Sequence, residues 1–222
     1  MRGTAALILL AHLGMLGCSF PPTAERSAAS ATRTFESTIY GFAITYPAGL
    51  EATSTFEGSY LESGGWKAFA GPDEGEGTPV LALVMPGSDQ ITAGALRIGQ
   101  SREAAGLASC TEVPAAFADS VGRTVIDGTA YTTFDGRDAA MSHHLATKSY
   151  RTVHDGACYA IDVIVTGTSP EVYDPPAIPP FTQAEAFAVL TPVMEGFRFL
   201  PRDGREANRA RRGQGPMPVP GG

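Results

Sequence analysis

Positive charge is scarce across residues 34–200, where 8 Lys+Arg stand against 20 Asp+Glu in a chain of 222 residues and formal net charge −7. Nucleic acid needs a basic surface to neutralise its phosphates, so this deficit excludes it as a partner. Broad docking onto anionic headgroups is disfavoured for the same reason. Catalytic signatures are missing too. There is no Gly-x-Ser-x-Gly elbow to hold up a nucleophilic serine. Neither Cys110 nor Cys158 belongs to a Cys-x-x-Cys redox pair. No glycine-rich phosphate loop opens a helix in a parallel unit. The loop 71–79, with Asp73, Glu74 and Glu76, lacks the regular oxygen-ligand spacing of a calcium loop. The reading therefore leans away from an enzyme and implies no cofactor.

Long apolar runs are absent except at the N-terminus. Arg2 precedes the apolar stretch "TAALILLAHLGML", which stops at Gly17-Cys18. That is signal-peptide layout, and it is too short for a comfortable membrane span. An ordinary secretory signal cut elsewhere is one reading. The preferred one is a lipoprotein signal over residues 1–17, cut before Cys18 with acylation of its thiol. The stretch resembles a bacterial lipobox, although Met15 and Leu16 replace the usual leucine and small residue and His12 interrupts the apolar run. By resemblance to Gram-negative sorting, Ser19 after the cysteine implies an outer-membrane lipoprotein facing the periplasm, attached through its N-terminal lipid. Residues 18–33 read as a flexible tether with little to bury. The Arg/Pro/Gly-rich tail 201–222 reads as disordered by composition; it carries five Arg against Asp203 and Glu206.

Between them, residues 34–200 read as one domain. Tyr40, Phe42, Ile44 and Tyr46 alternate with smaller residues and predict a half-buried strand ended by Pro47. Ala52–Phe56 and Trp66–Phe69 are weaker strand candidates. Residues 80–85 and 93–100 predict buried strands, with Ser101 as N-cap of a short helix to about Ser109. Three Asp-Gly pairs, at 127–128, 135–136 and 155–156, suit the positive φ of two-residue hairpin turns. They predict a four-strand antiparallel meander whose last hairpin sets Tyr150 opposite Ile161 and Thr152 opposite Tyr159. Residues 173–181, "YDPPAIPPF", are extended by proline geometry and read as a stiff loop or, less favoured, a docking segment. Thr182 and Glu185 form a capping box for a helix whose stripe Phe187, Leu190, Met194 and Phe197 packs the core; Pro192 ends its regular part. Residues 196–200 predict a final strand. The class is α+β, a central antiparallel sheet flanked by a few helices.

Three stretches resemble the PsbP/Mog1-like family: "YGFAITYPAG", "HHLATKSYRTVHDGACYAIDV", and the closing helix with "EGFRF". The likeness spans residues 35–200 and implies that family's antiparallel sheet with flanking helices.

Two chemical expectations remain. If acylation takes Cys18, an even pair is left, and Cys110–Cys158 is preferred as a disulfide over two buried thiols. His143 and His144 are strand neighbours and so point to opposite faces, and His154 is about 33 Å along the same strand from His144. No two can share a zinc. His144, joined by carboxylates such as Asp135 or Asp138, is left as a weak metal candidate beside the reading of an ordinary half-buried histidine. The functional expectation is a non-enzymatic binding or assembly accessory with an envelope protein partner. The alternatives are a hydrolase of an envelope polymer with dispersed catalytic residues, or a weak divalent-metal binder.

Overall fold

A computed structural model describes residues 31–62, 64–69 and 75–201. The leader, Cys18, all but the end of the tether and residues 202–222 lie outside them. Along the described chain run β1 (Thr32–Ser37), β2 (Phe42–Pro47), β3 (Glu51–Thr53), β4 (Thr78–Val84) and β5 (Thr92–Ser101). Helix α1 (Ala104–Ala108) separates these from β6 (Gly122–Ile126), β7 (Thr129–Ala140), β8 (His143–His154) and β9 (Ala157–Thr168), and α2 (Gln183–Leu190) precedes β10 (Phe197–Phe199). No helix among the described residues is long and apolar enough to cross a membrane.

The α+β class forms as expected. Seven strands make an antiparallel sheet in the order β3-β4-β5-β9-β8-β7-β6. A separate antiparallel sheet, β1-β2-β10, accompanies it. Strand β2 is the middle of that small sheet and buries Phe42, Ala43, Ile44 and Tyr46, so it is covered on both sides rather than on one.

The meander β6-β7-β8-β9 is present, with one of its turns in a different place. Asp127-Gly128 and Asp155-Gly156 turn with positive φ throughout. Asp135-Gly136 does not turn; it sits inside β7 opposite Lys148 and Thr147. Gly136 is needed there because a Cβ would run into the Phe69 ring. The β7–β8 turn is Met141-Ser142, held at φ 52° and 67° without glycine, asparagine or aspartate. Long pairing on either side fixes that geometry and overrides local turn preference. The β8–β9 register is the predicted one, Tyr150 opposite Ile161 and Thr152 opposite Tyr159.

Three further expectations are corrected. Trp66–Phe69 is a turn, not a strand, and Phe56 lies beyond the end of β3. Ser101 is the last residue of β5; the N-cap of α1 is Glu103, and Ser101 Oγ instead donates to Glu76 O at 2.5 Å and accepts from the Glu103 N–H at 3.2 Å. The Thr182–Glu185 capping box forms reciprocally. After Leu190 the helix tightens into a 3₁₀ turn, Thr191–Gly196, with Pro192 at its start.

Alternation gives the large sheet two unlike faces. On one, Leu81, Leu83, Leu96, Ile98, Ile161, Val163 and Val165 form the main core with Phe42, Ile44, Leu190 and Phe197 from the small sheet and α2. On the other lie two smaller clusters, around Trp66 with Ala160 and around Ala95 with Leu145 and Ile164. Strand β9 is buried from Ala157 to Val165, so it is covered on both sides.

Candidate functional site

The second face is built around charge. Asp162 follows Ile161 in β9 and so points away from the main core, directly opposite Arg97 on β5 and Ser149 on β8. Its carboxylate accepts from Ser149 Oγ at 2.6 Å, from the Arg151 guanidinium at 2.9 and 3.2 Å, and from the Ala68 N–H at 3.0 Å. Arg151 is 2% exposed and its guanidinium lies 5.3 Å from the Phe134 ring centroid. Arg97 donates to both Glu62 oxygens, at 2.7 and 2.5 Å, and to the Glu57 carbonyl at 2.6 Å. Burial pushes the Glu62 carboxyl above its ordinary range, and the Arg97 charge partly offsets this. Two buried ion pairs are tolerable because their polar atoms are met by further hydrogen bonds. They pin residues 57–68 across the sheet.

Cys110 and Cys158 form a disulfide with S–S 2.06 Å and Cα–Cα 5.6 Å. It fastens the segment after α1 to β9 beside Trp66. A side chain at Gly99 would run into the Trp66 carbonyl, so glycine there lets the crossing backbone lie flat on β5.

Where this covering ends, a groove of about 650 Å³ opens over the end of the sheet. Glu51 and Thr53 of β3, the 55–60 loop and the Ser88–Gln90 turn form one side. The start of β8, His143 and His144, and the end of β9, Thr166 to Thr168, form the other. Arg97 borders it from β5. Tyr60, 61% exposed, stacks on the His143 ring with centroids 4.4 Å apart and planes 14° from parallel. His143 Nδ1 lies 3.1 Å from Thr168 Oγ1. Asp89 Oδ1 accepts from the Ile91 and Thr92 N–H groups at 2.8 and 3.0 Å, which shapes the β4–β5 turn. Ser59 borders the groove, while its Oγ is closed off from solvent and has no hydrogen-bond partner among the described residues.

His144 stands at the end of the groove, but its ring lies against Gly167 on the opposite face of the sheet from His143. Burial, then the neighbouring His143, lowers its pKa from the ordinary 6.5, so it is uncharged at neutral pH. The expected carboxylate partners do not join it. Asp138 opposes Leu145 on the other face, and Asp135 opposes Lys148, four residues further along β8 and about 13 Å away. No group of three or more His, Cys, Asp or Glu among the described residues could hold a metal ion. His154 stacks on Phe199 with centroids 3.7 Å apart, far from this end of the strand.

Sequence reading missed Arg97, Glu62, Asp162, Arg151 and Tyr60. A usable signal existed for two of them. With the β8–β9 register in hand, Arg151 and Asp162 fall on one face of adjacent strands. Glu62 and Tyr60 come from a segment with no periodicity, and nothing local marks them.

No family model matches the chain, and no curated protein matches its sequence. Among solved structures, it is similar to the solution structure of cyanobacterial PsbP (CyanoP) from Synechocystis, at TM-score 0.41 and 13% identity, covering 78% of this chain and 95% of that one. A crystal structure from Bacteroides thetaiotaomicron is similar at TM-score 0.40 and 12% identity, covering 77% of this chain; the chain spans about half of that protein, 49%.

Proposed function

We propose that this chain is an outer-membrane lipoprotein facing the periplasm, anchored through Cys18, and that its domain is a non-enzymatic binding accessory receiving its partner in the groove. The observation that carries the reading is the groove itself. It is roomy, its lining is mixed polar and apolar, and its Arg97 is committed to Glu62, a buried pair that holds the 57–62 segment against β5. That is a preformed receptacle on a rigid support, the arrangement binding sites favour. A photo-crosslinking residue at Tyr60 in the intact cell yields a discrete adduct, absent when the residue is placed at exposed Ile178 instead. Identical patterns from the two positions would remove the groove as the binding face. Treatment with globomycin accumulates an unprocessed precursor; unchanged processing would remove the anchor.

A second reading rests on the groove bringing His143 to the same cavity as Glu51, Glu57 and Asp89. That is a hydrolase of an envelope polymer. Release of soluble fragments by the wild type, lost in His143→Ala, would replace the binding reading.

A further inference from the structure

We propose that the groove is a saccharide site: it takes a short stretch of an uncharged glycan, with one sugar ring laid on Tyr60 and the chain running over the sheet. This deepens the binding reading above and rests on it. Tyr60 is 61% exposed, yet one face of its ring is taken by His143, with centroids 4.4 Å apart. His143 is set in turn by Thr168, its Nδ1 3.1 Å from Oγ1. Tyr60 is thus an aromatic plate braced from behind and open in front. Such a plate gives a ligand with a flat apolar side a large contact at little entropy cost.

The floor matches the plate. Alternation turns Ala82 and Val84 of β4, Ala93 and Ala95 of β5, and Thr166 of β9 toward the groove. Their side chains are short, so the floor is low and partly apolar. The rim differs: Glu51, Thr55 and Gln90 are exposed there and offer oxygens that accept hydrogen bonds. A sugar ring has the same division, with C–H groups on its faces and hydroxyl donors around its edge. Charge then selects the kind of glycan. Arg97 is the one Arg or Lys among the described residues that line the groove, and it is spent on Glu62 and the Glu57 carbonyl. No guanidinium or ammonium among those residues is left for a phosphate or a carboxylate. Residues 34–200 also carry 20 Asp+Glu against 8 Lys+Arg, so acidic polymers are repelled and an uncharged one is admitted. The volume, about 650 Å³, falls within the roughly 300–1,000 Å³ of small-ligand sites.

Calorimetric titration of the full chain with chitotetraose, maltotetraose and cellotetraose tests the site. At least one binds saturably, with the same affinity at low and high salt, because the ligand carries no charge. Tyr60→Ala weakens that binding about tenfold, whereas Tyr60→Phe stays within about twofold, since the ring and not the hydroxyl is the platform. Tyr60 is largely exposed, so both variants melt with the wild type and a folding defect is not confused with a binding one. Binding that Tyr60→Ala leaves intact overturns the proposal, and so does the failure of all three sugars to bind. Tighter binding of tetragalacturonate or spermidine than of any uncharged tetrasaccharide overturns it as well. In each of those cases a crosslink from position 60 in the cell keeps the groove as the binding face, whereas its absence removes both readings.

Discussion

The two faces of the seven-stranded sheet share every strand and almost nothing else. Along β9, Tyr159, Ile161, Val163 and Val165 enter the apolar core, while Cys158, Ala160, Asp162 and Ile164 carry the disulfide, a backbone crossing, an ion-pair cluster and the groove floor. Burial is equally complete on both sides of that strand. What differs is how each face fails. An apolar core loses stability in proportion to the volume removed, because its contacts are many and undirected. A buried ion pair fails all at once, because removing one charge strands the other in low dielectric. The first face therefore tolerates variation, and the second specifies geometry. The groove lies on the side that specifies.

The comparison breaks most sharply at Asp162. Asp162→Ala leaves Arg151 buried and unpaired and costs about 4 kcal/mol in urea unfolding. Adding Arg151→Met restores most of it. On the opposite face Leu96→Ala, at a position 0% exposed, costs about 3 kcal/mol, and no single companion change repairs it. If the double variant on the charged side recovers nothing, the two faces do not differ as described.

Next in size is the crosslink. Replacing Cys110 and Cys158 by serine frees a loop of 48 residues and costs about 4 kcal/mol by chain entropy, less whatever order the unfolded chain keeps. Reducing agent destabilises the wild type by the same amount and leaves the double variant untouched. On the apolar side, Thr182→Ala removes the N-cap of α2 and costs about 1 kcal/mol, with the groove unaffected in ligand titration.

The smallest effect is in pH. Glu62 is held above the ordinary carboxyl range by burial, so the folded state binds its proton more tightly than the unfolded state does. Stability on the charged face therefore falls as pH rises from the ordinary carboxyl range through Glu62's own midpoint, and is greatest below it. Glu62→Gln flattens that slope in a stability-against-pH series, whereas Leu96→Ala keeps it.

The apolar face was largely legible in the sequence because its signals are local. Alternation predicted β9 and its partner register, the Thr182–Glu185 box predicted the start of α2, and Pro192 predicted its end. The charged face was legible only in part. The Cys110–Cys158 pair follows from counting once Cys18 is set aside. Asp135-Gly136 looks like a turn from its dipeptide, but that glycine answers to the Phe69 ring, 67 residues earlier in the chain. Met141-Ser142 turns because β7 and β8 pair over their full length, not because of anything in those two residues. The groove escaped notice for the same reason: the Glu51–Tyr60 stretch and His143 are more than eighty residues apart and meet only when the 57–62 segment crosses the sheet.

Strand order has a kinetic consequence. β3-β4-β5 and β6-β7-β8-β9 are each joined in chain order, but β5 meets β9 across a seam of ten residue pairs closed by a connection of more than fifty residues. The β4-β5 hairpin and the β6-β7-β8-β9 meander have only short loops to close and can pair early, whereas β3 joins β4 across 24 residues. The seam waits for a long excursion of chain to return, which slows folding in proportion to its loop-closure cost. Both buried ion pairs and the disulfide lie on or beside that seam. An oxidant that couples Cys110 to Cys158 shortens the remaining search, so refolding from the oxidised unfolded chain is faster than from the reduced one, and the slow step belongs to the junction between two half-sheets rather than to either half.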